Sequence, residues 1–121
     1  MIKYRLNNNV TIEKLMGYGF VSDNIDDNSK NRNYIYAESL CDKTYLMVKV
    51  KKRGKKLKFR EFSDVKLYIG DLLNPKRISI INRLYGEGYW EAEMGYNSAM
   101  RGLEDAGILT SNRLTYKMKN K

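Results

Sequence analysis

The run Lys49-Val50-Lys51-Lys52-Arg53-Gly54-Lys55-Lys56-Leu57-Lys58-Phe59-Arg60 carries eight basic residues and no acidic one. Apolar and basic residues alternate on both sides of Arg53-Gly54, which is the pattern of two strands joined by a tight turn. With Arg53-Gly54 as a two-residue turn, antiparallel pairing sets Val50 opposite Leu57 and Val48 opposite Phe59 on one buried face. The other face then holds Lys49 opposite Lys58, Lys51 opposite Lys56 and Met47 opposite Arg60, while Lys52, Arg53 and Lys55 crowd the tip. Like charges placed directly opposite each other destabilise a sheet by a few tenths of a kcal/mol. A hairpin shaped for stability alone would mix the signs.

The charge is local. The chain of 121 residues has 23 Lys and Arg against 14 Asp and Glu, and without these twelve residues the balance is 15 against 14. A concentrated cationic strip attracts polyanions, and meeting phosphates releases their condensed counterions. Lysine outnumbers arginine in the strip, which favours attraction to phosphate over bidentate reading of base edges. The expected binding residues are therefore Lys49, Lys51, Lys52, Arg53, Lys55, Lys56, Lys58 and Arg60. The expected partner is the phosphate backbone of DNA or RNA, met with little sequence specificity.

Outward from the hairpin, Ile2-Lys3-Tyr4-Arg5-Leu6 alternates like a short strand, and Thr11 is placed to cap a helix over Ile12–Met16 that Gly17 ends. Residues 22–33 read as a polar loop, followed by a strand from Asn33 to Tyr36 or a little beyond and a turn at Asp42-Lys43. Val65–Ile69 is predicted as a further strand after a Ser63-Asp64 turn. Asn74-Pro75 signals a helix start, with Ile78, Ile81 and Leu84 inward and an end near Gly86. A second helix is predicted from Trp90 to Ala106, with Met94, Ala99 or Met100, and Leu103 on its apolar side and Gly107 as its stop. Residues 108–118 then alternate around Ser111-Asn112 as a short hairpin.

The expected class is α+β: a small antiparallel sheet with a protruding basic β-hairpin, packed with two C-terminal helices and a short C-terminal hairpin. The length fits one domain over 1–121, in which 1–70 can form a β-rich lobe and 71–121 a helical one.

Histidine is absent and Cys41 is the single cysteine. This removes Ser-His and Cys-His nucleophile pairs, histidine-ligated zinc, cysteine-paired zinc and an intramolecular disulfide. Asp64-Val65-Lys66 has an acid-x-Lys spacing that metal-dependent nucleases use, but such triplets arise by chance in a charged chain. No enzyme activity, metal or cofactor is expected. No window approaches 18 apolar residues, so a membrane span is not expected and the cytoplasm is the expected location.

Two phrases resemble known nucleic-acid-binding elements. Gly17-Tyr18-Gly19-Phe20-Val21 copies the centre of the RNP1 motif of RNA-recognition domains, yet too few residues precede it for the strand order of that fold. A glycine-terminated helix with Phe20 turned into the core is expected instead. Leu103-Glu104-Asp105-Ala106-Gly107-Ile108 resembles the phrase that precedes the wing in winged-helix domains. Glu91, Glu93, Glu104 and Asp105 make the would-be recognition helix acidic, so a plain helical lobe is expected. Tyr85, Tyr89, Trp90 and Tyr96 are read as part of a second half of the core.

As a whole, the short histidine-free chain, rich in Lys, Asn, Ile and Tyr, resembles small accessory proteins of phages and mobile elements of low-GC bacteria. That category includes anti-defence and anti-CRISPR inhibitors. The resemblance implies a second role, an inhibitor that binds a host nucleic-acid-processing protein or nucleoprotein complex in the host cytoplasm.

Overall fold

The computed structural model describes residues 2–22, 30–41, 44–69, 76–78 and 90–113. In chain order the elements are β1 (Tyr4–Leu6), α1 (Ile12–Tyr18), β2 (Val21–Ser22), β3 (Asn31–Cys41), β4 (Thr44–Arg53) and β5 (Lys56–Lys58). They continue with α2 (Glu61–Asp64), β6 (Val65–Ile69), β7 (Lys76–Ile78), α3 (Trp90–Asp105) and β8 (Leu109–Ser111). The class is α+β, as the sequence led one to expect.

β4 organises the main sheet. Thr44, Leu46, Val48 and Val50 are buried and alternate with half-buried Tyr45, Met47 and Lys49, the two-residue period of a strand with one face on a core. The order is β2-β3-β4-β6-β7, with β5 pairing the far end of β4, and every pairing is antiparallel. Tyr34 lies opposite Val50, Val65 opposite Val48 and Leu67 opposite Leu46, so all of them share the core face. They form one apolar cluster with Leu15, Phe20, Ile108, Leu109 and the α3 side chains Tyr96, Ala99, Met100 and Leu103. α3 comes close to β3 at Gly95, where a Cβ would stand 2.9 Å from Leu40 Cβ. Met94, expected on the apolar side of this helix, is exposed instead. Two residues before Tyr96, it lies about half a turn round the helix from the buried stripe of Tyr96, Ala99, Met100 and Leu103.

Among the described residues, α1 and α3 end in the same way. In α1 the Thr11 hydroxyl accepts from Lys14 N at 3.1 Å, as the sequence suggested. The stop is Gly19 and not Gly17: Gly19 has φ 125°, its N–H donates to Met16 O, and Phe20 N–H donates to Leu15 O. This pair of bonds, with Phe20 and Leu15 both in the core, satisfies the last carbonyls of the helix. Gly107, φ 79°, repeats the arrangement for α3: its own N–H reaches Glu104 O and Ile108 N–H reaches Leu103 O. Tyr18, Phe20 and Tyr36 then pack as a cluster of tilted rings, the Tyr18 and Tyr36 centroids 5.1 Å apart. The Tyr36 hydroxyl donates to Glu38, and its ionisation is pushed well above the usual tyrosine range, first by burial and then by that carboxylate.

The hairpin differs from its expected form in register and in exposure. Lys51 lies opposite Lys58, Lys52 opposite Leu57 and Arg53 opposite Lys56, so the turn is Gly54-Lys55. A slip of two residues leaves each side chain on its expected face, because a strand has a period of two. The slip has a tertiary cause: β3 runs beside β4 as far as Asn31 opposite Arg53, and Gly54 N–H donates to Lys30 O at 2.6 Å. Arg53 is thereby held inside the ladder, and Gly54 takes the first turn position with φ 65°. The hairpin consequently does not protrude as a free ribbon. β4 is a central strand flanked by β3 over its whole basic half.

Two further expectations are corrected, and the tail gains a partner. Residues 61–64 form a helical turn, where a turn at Ser63-Asp64 was expected, and it separates β5 from β6 along one edge of β4. Lys76–Ile78 pair with β6 as a strand, so tertiary pairing overrides the helix signal of Asn74-Pro75 at those positions. β8 pairs with β1, Tyr4 lying opposite Ser111, which gives the tail a partner at the other end of the chain. The Asp42-Lys43 turn, the helix positions after Ile78, Tyr85, Tyr89, the Trp90 and Cys41 side chains and the tail after Arg113 lie outside the described residues.

Candidate functional site

A groove of about 860 Å³ opens between the basic hairpin and the segment from Arg5 to Ile12. Its floor is apolar: Leu6, Val10, Ile12, Leu57 and Phe59 line it and are partly buried against the core. Its rim is cationic, with Arg5, Lys51, Lys52, Lys55, Lys56, Lys58 and Arg60 among the lining residues and, among the described residues, no Asp or Glu.

Local chemistry holds the wall at 5–12 in shape. Asn7 N–H donates to Ile108 O at 2.9 Å, Val10 N–H to Asn7 O at 3.2 Å and Asn9 N–H to the Asn7 side chain at 2.9 Å. The asparagine run thus folds back on itself before Thr11 caps α1. The distance between the two walls is set by Glu61. One of its carboxylate oxygens accepts Tyr4 N–H at 3.1 Å, and the other accepts the Tyr96 hydroxyl. Glu61 therefore ties the turn that follows the hairpin to β1 and to α3.

Asp64 is the second structural carboxylate. It is 3% exposed, and its Oδ2 accepts Arg60 N–H at 2.8 Å and stands 3.2 Å from Lys51 Nζ. Its partners explain why a buried charge is tolerated here. They also tie Asp64, the first residue of the Asp64-Val65-Lys66 triplet, to the start of the α2 turn. Among the described residues no three His, Cys, Asp or Glu side chains gather in a cluster that could hold a metal ion.

Six of the eight basic residues singled out in the sequence line the groove. Lys51 among them is paired with Asp64. Lys52, expected at the tip, lies opposite Leu57 at the end of the core-side face. The other two lie elsewhere. Lys49 stands opposite Ile35 on the outer face of the sheet. Arg53 donates from its guanidinium to Arg32 O, Lys52 O and the Asn33 side chain. Arg5 and the whole 5–12 wall were not legible as site residues, since nothing in a strand, an asparagine turn and a helix cap announces which distant segment they face.

The described helices include none long and apolar enough to cross a membrane. Comparison of the chain with protein-family models, curated proteins and solved structures finds no match in any of the three.

Proposed function

We propose that this protein is a non-enzymatic nucleic-acid binder that holds the phosphate backbone in the groove between residues 5–12 and the basic hairpin, with little preference for sequence. The observation that carries the proposal is the groove lining, which among the described residues has seven cationic side chains and no carboxylate. Such a cavity concentrates positive potential in a concave wall, where field lines focus and polyanions gather. Five of the seven are lysines, compact charges suited to phosphate contact. Of the acids that adjoin the lining segments in sequence, Asp64 is paired with Lys51, Glu61 accepts from Tyr4 and Tyr96, and Glu13 is exposed outside the lining.

A salt titration tests the proposal. Because Lys51 is paired with Asp64, at most six groove cations can meet phosphate. The slope of log K against log salt should then reach about −5 on a duplex or about −4 on a single strand. A slope near zero, or no binding at low salt, overturns it.

A further inference from the structure

Resting on the phosphate-binding function proposed above, we infer that the groove takes single-stranded nucleic acid in preference to a duplex. The floor carries this inference. A duplex keeps its bases stacked inside and presents sugar and phosphate, so it would satisfy the rim and leave Leu57, Phe59, Leu6, Val10 and Ile12 facing nothing apolar. A single strand offers both chemistries at once, charged phosphates for the rim and flat base faces for the floor.

Size points the same way. The groove's 860 Å³ falls in the range of cavities that enclose one small organic molecule, enough for a few nucleotides. A double helix, whose major groove alone is about 12 Å across, cannot enter a space of that size and could only rest on the rim. Phe59 sits between Lys58 and Arg60, and all three line the groove. An aromatic ring in a groove that also holds cations combines a stacking surface with phosphate contacts, the pairing that sequence-tolerant single-strand binders use.

The test is equilibrium binding of three labelled ligands of about 12 nucleotides at one low salt concentration: a single strand, its duplex, and an abasic strand of equal length. The single strand should bind about tenfold or more tightly than either of the others. Phe59→Leu, which keeps an apolar floor but removes the ring, should cost the single strand about tenfold and leave the duplex unchanged. Phe62, 77% exposed and outside the lining, serves as the control aromatic, and Phe62→Ala should change neither. Equal or tighter binding of the duplex, or an abasic strand bound as well as the intact one, overturns the inference and leaves phosphate binding standing. Failure of all three ligands to bind overturns phosphate binding itself.

Discussion

Glu61 is the residue on which the groove's geometry turns. It is half-buried, and each carboxylate oxygen is taken by a different element, Tyr4 N–H from β1 and the Tyr96 hydroxyl from α3. Glu61→Gln keeps the size and an acceptor for Tyr4 N–H but removes the charge, and its NH2 group displaces the hydrogen bond that the Tyr96 hydroxyl donates. The expected cost is about 1–3 kcal/mol, the scale of a hydrogen bond to a charged group left unmade. It is read as a lower denaturant midpoint with an unchanged slope. In the sequence Glu61 is one acid among fourteen, after a basic run. Its partners stand 57 and 35 residues away, and no local pattern reports contacts at that separation.

At the scale of elements, α1 shows how a local rule can be legible and still be applied one step early. Gly17 and Gly19 both qualify as a helix stop. The deciding feature is the apolar pair that closes such a stop, which for Gly19 is Phe20 on Leu15, both buried. For Gly17 the same positions would be Tyr18 and Glu13, which do not make an apolar pair. Gly17 thus lies inside the helix, with nothing within 4 Å of a Cβ added there. Gly17→Ala should therefore stabilise the protein by about 0.5–1 kcal/mol by removing backbone freedom from the unfolded chain. A raised thermal midpoint checks this, and Gly19→Ala should lower it because φ 125° strains any residue with a Cβ. The hairpin is the converse case. Its faces were legible from alternation, but Arg53-Gly54 and Gly54-Lys55 satisfy that alternation equally. Only β3, reaching Arg53 from the other side, selects between them.

For the whole molecule the question is whether net charge or its placement governs binding. Lys55, Lys56 and Lys58 are exposed and line the groove, so replacing all three with Glu should leave the fold intact. Lys3, Lys14 and Arg101 are exposed and outside the lining. Either triple reversal takes the formal net charge from +9 to +3. If the groove is the site, the first set abolishes binding and the second lowers it only by the modest factor that long-range steering contributes. Equal losses from both sets, measured at about 0.15 M salt where distant exposed charges are largely screened, would show that placement does not matter.

The sequence by itself determined the local properties: the two faces of the hairpin, the concentration of positive charge in twelve residues, the Thr11 cap, the Gly107 stop, and the lack of histidine, which removes histidine-based catalysis. Each depends on residue type and on neighbours within a few positions. Only the tertiary structure decided the register of the hairpin, the loss of Lys51 to Asp64, the diversion of Lys49 and Arg53, and the second wall supplied by residues 5–12. Those outcomes depend on packing between segments tens of residues apart, where the chain is brought together by burial of a shared core and by single bonds such as those of Glu61, and alternation carries no information about either.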